Sequence, residues 1–405
     1  MKKVAIIGQG YVGLPIAMAA AQSGYQVIGF DLNKDLVSDL NAGKSHIEDI
    51  PSGILLNAIE KNTYIASSNA DDLSEAKIVV IAVPTPLDDR LQPDLRMVIS
   101  ASEIIGKNLK QNALIINEST SFPGTLRAVI KPTVESVTQP GLNHEYAISP
   151  ERVDPGNKNW GILNTPRLYS GITANAKAMT REFYEKFCNN LVELTEPEVA
   201  EAAKLFENTF RLINISLVNE LAIVLNRMNI DTREVLSAAA TKPYGFMKFE
   251  PSIGIGGHCI PVDPTYLLQA AQKTGVNFEF IDLANKVNHG MAAHVVERIK
   301  QENGGSLANK RILIAGVAYK ADIADTRETP AENLFHLLRE EGAVTSWHDP
   351  HVELWMDQTS SPLGVDSYDL IIVATAHREF QKEDFGKFAP YVFDCTGKIS
   401  NATQL

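Results

Sequence analysis

Short apolar runs alternate with helix-like stretches from the first residues of the chain. Val4–Ile7, Val27–Phe30, Ile78–Val83, Leu114–Asn117 and Tyr146–Ser149 have strand length and leave neither face polar, as strands of a parallel sheet covered by helices on both sides do. The alternation predicts βαβ units and a doubly wound sheet. From Glu196 the period changes. Val199, Ala203, Phe206, Phe210, Ile213, Leu217 and Leu221 recur at helical spacing until Asn229-Ile230-Asp231, which predicts one long amphipathic helix, with a second over Thr232–Ala240. The wide apolar face of the long helix suits a homodimer or a higher homo-oligomer. After the polar patch Gln301–Lys310 the alternation resumes, with strands expected over Arg311–Gly316, Val344–Trp347, Leu370–Ala374 and Tyr391–Asp394 and a helix over Pro330–Glu341. The expected class is α/β: two Rossmann-like doubly wound domains, 1–195 and 301–405, joined by a long central helix and a helical middle domain, 196–300. No sequence repeat relates the halves.

A chain of 405 residues exceeds what one core usually serves, which agrees with several domains. The formal net charge of -12 argues against nucleic-acid or anionic-membrane partners and makes any anion site a local one. Met1-Lys2-Lys3 resembles the start of a signal peptide, but Gly8-Gln9-Gly10 interrupts the apolar region before it reaches signal length, and no stretch is expected to reach bilayer-spanning length. The expected location is cytoplasmic. Cys188, Cys259 and Cys395 are too few and too scattered for a disulfide framework, so each is expected to be a free thiol.

Gly8-Gln9-Gly10-Tyr11-Val12-Gly13 follows a strand and opens a helix, the context that a dinucleotide-binding turn requires. Asp31 closes the second strand about 20 residues on, where a carboxylate accepts the ribose 2'-hydroxyl and repels a 2'-phosphate. The expected cofactor is NAD, with Lys34 near enough to soften that preference. Two further strand ends, Val83-Pro84-Thr85-Pro86 and Glu118-Ser119-Thr120, point to the same crevice; Thr85 and Thr120 read equally as ligand contacts and as helix caps.

Gly254-Ile255-Gly256-Gly257-His258-Cys259-Ile260-Pro261-Val262-Asp263-Pro264 is the most unusual stretch. Glycines let backbone approach a ligand and pack poorly in a core, so Cys259 is expected to be presented, whereas Cys188 and Cys395 read as buried and inert. His258 has no second Cys/His pair, so no metal is expected. Sequence neighbours often point apart, and His258 is not assigned as a base.

Taken together these motifs resemble the UDP-glucose/GDP-mannose dehydrogenase family along essentially the whole chain. The likeness covers Gly8 to Gly13, Val83 to Pro86, Ser119-Thr120 with Pro123-Gly124-Thr125, and Ser149-Pro150-Glu151-Arg152 with Pro155-Gly156. It continues through Lys204, Asn208, Gly256 to Cys259, Asp263, Lys320 and Asp325-Thr326-Arg327-Glu328. The resemblance implies two successive NAD-linked oxidations of a sugar C6 alcohol on a UDP-sugar substrate. It implies that Cys259 forms a thiohemiacetal and then a thioester, with Glu151 as the base of hydrolysis and Lys204 and Asn208 as oxyanion donors. Asp263 and Thr120 match positions that order water and tune the lysine. Glu151, Arg152, Gly256, Gly257, His258 and Lys320 are implied at the sugar nucleotide and Arg327 at the cofactor. Read singly, Glu151, Lys204 and Asn208 are ordinary surface residues.

Gly-Gly-His-Cys-Ile-Pro with Thr241-Lys242-Pro243-Tyr244-Gly245-Phe246-Met247 resembles the branch of that family acting on UDP-N-acetylhexosamines, UDP-N-acetylglucosamine first. Arg211 fits acetamido recognition and a surface ion pair equally. Asp88-Asp89-Arg90 fills a variable loop, and Asp394-Cys395-Thr396-Gly397-Lys398 lacks the arginine often found there, leaving Lys398 as a less specific phosphate contact. The near alternatives are C6 oxidation of UDP-N-acetylmannosamine or of UDP-glucose, and the distant ones a one-step hydroxy-acid dehydrogenase and a non-catalytic NAD-binding protein.

Overall fold

The computed structural model describes residues 2–47, 49–90, 92–153, 157, 159–257, 260–364 and 367–405. The chain divides into two compact units, Met1–Glu207 and Asn208–Leu405. The first holds one sheet of β1 (Lys3–Ile7), β2 (Gln26–Phe30), β3 (Tyr64–Ser67), β4 (Ile78–Ile81), β5 (Leu114–Asn117), β6 (Glu145–Ile148), β7 (Arg167–Gly171) and β8 (Leu191–Glu193), in the order β3-β2-β1-β4-β5-β6-β7-β8. The first six strands are parallel; β7 runs antiparallel to β6, and β8 follows β7. The order 3-2-1-4-5-6 is that of dinucleotide-binding sheets, and it reverses between β1 and β4. Because side chains alternate along a strand, Val4, Ile6 and Val80 enter one core with Leu14 and Ile16 of the helix Gly13–Gln22. Ala5, Ile7, Val79 and Ile81 enter a second core with Val98 and Ile105 of the helix Arg96–Asn108. Each fully buried branched side chain contributes roughly 1.5–3 kcal/mol.

In the second unit β9 (Arg311–Ala315), β10 (Val344–His348), β13 (Leu370–Val373), β14 (Val392–Asp394) and β15 (Thr403–Gln404) are all parallel, in the order β10-β9-β13-β14-β15, while β11 (Leu354–Trp355) and β12 (Gln358–Thr359) form a separate hairpin. With the hairpin set aside this is the other common doubly wound order, 2-1-3-4-5, and its crevice lies between β9 and β13.

The helix Pro197–Arg227 runs for 31 residues and carries the chain from one unit to the next. The expectation that no stretch reaches membrane-spanning length is corrected here. This is the one helix among the described residues long and apolar enough to cross a membrane by length and composition. Part of it is built into protein: Ser216 Oγ donates to the Ala284 carbonyl at 2.9 Å, and Asn219 Oδ1 accepts Ser252 N–H at 2.8 Å. The helix Thr232–Ala239 follows, its first turn capped by the Asp231 carboxylate.

Candidate active site

Steric demand explains the glycine turn after β1. Gly8 has φ +91, and a Cβ there would lie 2.4 Å from the Ala82 carbonyl oxygen beyond β4. A Cβ on Gly13 would lie 1.8 Å from the Gly8 oxygen, whereas one on Gly10 meets nothing. The outer two glycines therefore close the turn and seat the helix, and the middle one keeps its surface open. The helix Gly13–Gln22 has no side-chain cap and no acidic residue in its first turn, so its N-terminal amides and dipole remain suited to a pyrophosphate. Asp31 is held by Gln9 N–H and Asn33 N–H, both at 2.9 Å. The Gln9 side chain is used internally, on the Ile6 and Gly8 carbonyls and the Tyr64 hydroxyl. Tyr11 stands at the surface and Val12 is half-buried. These residues fit a bound NAD through shape, amide donors and a fixed carboxylate.

The strand ends around the crevice are tied together. Ser119 Oγ accepts Val83 N–H at 2.9 Å and donates to the Val83 carbonyl at 2.7 Å, while Thr85 and Thr120 are half-buried. In the variable loop Asp88 Oδ1 accepts the Arg90 and Gln92 N–H groups, a local turn. Beyond β6, Glu151 is half-buried. Burial raises its pKa, opposed by the Lys204 ammonium, the Val153 N–H and Arg167, and assisted by Glu118. Lys204 is itself buried, so the unit pairs an ammonium and a carboxylate in one field. Arg152 forms a fork with Glu207 at 2.6 and 3.0 Å and donates to the Pro166 carbonyl at 2.6 Å, which braces the segment carrying Glu151.

Glu201, one turn before Lys204, is only 2% exposed and accepts Gly124 N–H at 2.6 Å, Leu126 N–H at 3.0 Å and Ser121 Oγ–H at 3.4 Å. Burial pushes its pKa up from 4.5 to about 7 despite these donors, with Glu198 adding to the rise. Since the folded value is the higher, its contribution to stability is complete below the unfolded pKa and is lost as pH rises through about 7, a difference of about 3 kcal/mol. The urea midpoint of the wild-type protein is expected to fall between pH 6 and 8, and that of Glu201→Gln to fall less. Equal slopes in the two proteins reject this role.

In the second unit Asn208 Nδ2 donates to Asp263 Oδ2 at 2.5 Å. Asp263 is buried at the start of the helix Asp263–Lys273, where the helix dipole favours a carboxylate. Arg211 is exposed. The glycine stretch packs closely against its own unit: Gly257 has φ +84, its N–H donates to the Arg327 carbonyl at 3.1 Å, and a Cβ there would lie 2.8 Å from the Tyr319 ring. A Cβ on Gly256 would lie 2.7 Å from the Glu328 oxygen. These glycines thus serve loop packing as well as any ligand. Ile255 N–H donates to Asn288 at 2.7 Å, and Ile255 and Ile260 pack on Leu212, Ile281 and Ala284. His258 and Cys259 lie outside the described residues, as do Pro155 and Gly156 of the family motif.

A cleft at the β9/β13 crevice is lined by Lys320, Thr329, Thr375, Thr396 and Lys398. Asp394 builds one wall by accepting Thr396 N–H and Oγ–H, Lys398 N–H and Ile399 N–H at 2.7–2.8 Å. An arginine from elsewhere in the chain packs against this loop. Arg233 packs where a Cβ on Gly397 would stand 2.1 Å from its Cζ; it donates to the Cys395 carbonyl at 3.5 Å and pairs with Glu250 at 3.0 Å. Arg327 forks onto Asp325 at 2.9 and 3.0 Å.

Asp322, His351 and His377 place possible metal ligands within 4.8 Å of one another. The ring of His377 is already committed. Its Nδ1 accepts Asp322 N–H and its Nε2 meets Asp349, both at 2.9 Å. A metal there would displace a bond that holds the loop. Cys188 and Cys395 are buried free thiols whose pKa values burial raises, which makes both poor nucleophiles. Singly read, Glu118, Arg167, Glu201 and Asp349 carried no signal of their own. A charged residue directly after a strand, as Glu118 and Asp349 are, is the one local hint.

Residues 2–188 match the NAD-binding domain of the UDP-glucose/GDP-mannose dehydrogenase family, 198–290 its central domain and 313–401 its UDP-binding domain. The chain is 36% identical over 391 residues to a UDP-N-acetyl-D-glucosamine 6-dehydrogenase of Pseudomonas aeruginosa, covering 94% of this chain and 91% of that one. It is 33% identical over 402 residues to a UDP-N-acetyl-D-mannosamine dehydrogenase of Methanococcus maripaludis, covering 96% and 90%. A solved UDP-D-ManNAc dehydrogenase from Pyrococcus horikoshii superposes with a TM-score of 0.90 at 30% identity, covering 98% of this chain and 96% of that one. Dinucleotide turn, doubly wound sheets and three matched domains lead to one conclusion: the chain belongs to the UDP-glucose/GDP-mannose dehydrogenase family and is an NAD-dependent nucleotide-sugar dehydrogenase.

Proposed function

We propose that the protein oxidises the C6 alcohol of a UDP-N-acetylhexosamine, UDP-N-acetylglucosamine first, to the uronate. The observation that carries this reading is the coupling of buried Lys204 to half-buried Glu151 beside the dinucleotide sheet, in a chain that also has Cys259. Bound NAD+ supplies the hydride acceptor in each of two oxidations, four electrons in all. The first converts alcohol to aldehyde with loss of one proton. The Cys259 thiolate then forms a C–S bond to the aldehyde carbon, and the carbonyl oxygen takes a proton to give a thiohemiacetal. Loss of the second hydride and that proton leaves a thioester. Glu151 takes a proton from water, whose oxygen adds to the carbonyl; the C–S bond breaks, the sulfur leaves as the thiolate that began the cycle, and the two protons of the water pass to solvent, one of them through Glu151, leaving the product as the carboxylate. Lys204 and Asn208 donate to the oxyanions, Asp263 orients Asn208, and Thr120 and Thr85 line the nicotinamide end. Gly256, Gly257, His258, Arg152, Arg211 and Lys320 serve the sugar nucleotide and Arg327 the cofactor.

The branch motif around His258 supports an acetamido sugar, and relatives named for both UDP-N-acetylglucosamine and UDP-N-acetylmannosamine make the epimer the discriminating point. Val199, Phe206, Phe210, Leu217 and Val224 are exposed at spacings that share one side of the long helix, which supports a homodimer seam in a cytoplasmic enzyme. A panel of UDP-sugars is expected to give two NADH per molecule, fastest with UDP-N-acetylglucosamine. One NADH with a stable aldehyde rejects the four-electron reading, and faster turnover of UDP-N-acetylmannosamine or UDP-glucose reassigns the sugar.

A further inference from the structure

Glu118 follows β5, is 1% exposed, and gathers its donors on a single oxygen. Its Oε1 accepts Arg167 Nη1–H at 2.6 Å and the Tyr184 hydroxyl, while Oε2 is buried with no hydrogen-bond partner among the described residues. Arg167 opens β7 at 5% exposure, and its guanidinium lies 4.6 Å over the Tyr184 ring. A buried ion pair of this kind is weak evidence for stability, since desolvation offsets most of its attraction. Its neighbours point to another use. Arg167 Nη1 also donates to Ser149 Oγ at 3.1 Å, and Glu151 N–H donates to the Glu118 carbonyl at 3.4 Å. Both members of the pair therefore grip the short segment that presents Glu151.

We propose that Glu118 and Arg167 are positioning residues for Glu151, a buried and charge-balanced support that sets where its carboxylate stands and how firmly it holds a proton. The reading rests on Glu151 as the base of thioester hydrolysis. The charged groups facing Glu151 are Lys204 from the long helix, Arg167 from β7 and Glu118 from the end of β5; the neighbouring Arg152 is neutralised by Glu207. Burial raises the proton affinity of Glu151, Lys204 and Arg167 lower it, and Glu118 raises it. Removing the Glu118 charge leaves the Arg167 cation unopposed, and Glu151 then loses its proton at lower pH. Removing only the shape of the pair moves Glu151 without changing the field.

Glu118→Gln separates these effects, because Gln keeps an acceptor for Arg167 and Tyr184 and puts its NH2 where Oε2 has no donor to displace. Arg167→Lys does the reverse, keeping the charge and losing the guanidinium geometry that reaches Glu118 and Ser149 together. The full-length protein is labelled with 13C-carboxyl glutamate and the Glu151 signal identified by its loss in Glu151→Gln. Its midpoint is expected to fall by about one pH unit in Glu118→Gln and to change by less than about a third of that in Arg167→Lys, where single-turnover hydrolysis slows instead. An unmoved midpoint in Glu118→Gln, or a larger shift in Arg167→Lys, overturns the proposal. Melting temperature reports folding of each variant, and a collapsed Glu118→Gln with a normal Arg167→Lys midpoint and rate also overturns it. If the signal shifts as expected while the pH profile of hydrolysis does not follow, the support stands and Glu151 is not the base.

Discussion

Cys259→Ala is expected to release at most one NADH per sugar, with kcat for acid formation down at least about a thousandfold. The size follows from the chemistry. On the proposed route, a protein without the sulfur has no thiohemiacetal to surrender the second hydride, and the free aldehyde would have to react as its hydrate. Acid quench of the wild-type reaction under single-turnover conditions should trap a protein adduct of the sugar nucleotide by intact mass, absent in the variant. Undiminished acid formation, or the same adduct in Cys259→Ala, ends the thioester route. Retention of UDP affinity and of the wild-type melting curve separates lost chemistry from lost fold, because Cys259 and the UDP-binding domain both belong to the second unit.

Asp349→Ala is expected to have the largest effect on the second unit. This buried carboxylate accepts Val317 N–H at 2.8 Å and Ala318 N–H at 3.1 Å beyond β9, His351 N–H at 2.9 Å beyond β10, and meets His377 Nε2 at 2.9 Å beyond β13. One side chain thus fastens three strand ends, two of which border the cleft with Lys320. Its removal leaves several buried donors unmet, a loss of about 3–5 kcal/mol. Although burial opposes it, the bonds from His377 and the backbone hold the Asp349 pKa below its usual 3.8. The stability it contributes is therefore present above the unfolded pKa and is lost as pH falls through the lower folded value. Urea unfolding at pH 7 should show the destabilisation, and calorimetry with UDP should show weaker binding while NAD binding is kept. A variant as stable as wild type, with unchanged UDP affinity, refutes this role.

Most of the sheet framework was legible because its signals are local. Both-faces-apolar runs at β1, β2, β4, β5 and β6 have the length and composition of buried strands, and β9, β13 and β14 read the same way, while the edge strand β10 was placed by its position in the resumed alternation. β3 and β7 did not. Tyr64-Ile65-Ala66-Ser67 is an edge strand with Ile65 exposed, and β7 begins on a buried arginine, which pattern alone assigns to the surface. The dinucleotide turn was legible for a steric reason: Gly8 and Gly13 stand where a Cβ would enter the neighbouring backbone, and no other residue type satisfies that.

The charged residues around the candidate site were legible as a family pattern and not as physics, since a lone Lys204 or Glu151 on a helix or loop looks like solvent-facing polarity. By itself the sequence determined two doubly wound sheets, a long apolar helix, an NAD turn with its carboxylate, and one cysteine in a glycine-rich setting. Only the tertiary structure decided which charges leave the solvent and what they meet: buried Glu118 with Arg167 across 49 residues, buried Glu201 with Leu126 across 75, partly buried Arg233 with the carbonyl of Cys395 across 162. Hydrophobic periodicity repeats within a few residues and can be read in a window. The desolvation and partner of a single charge depend on chain segments far away in sequence, and no window contains them.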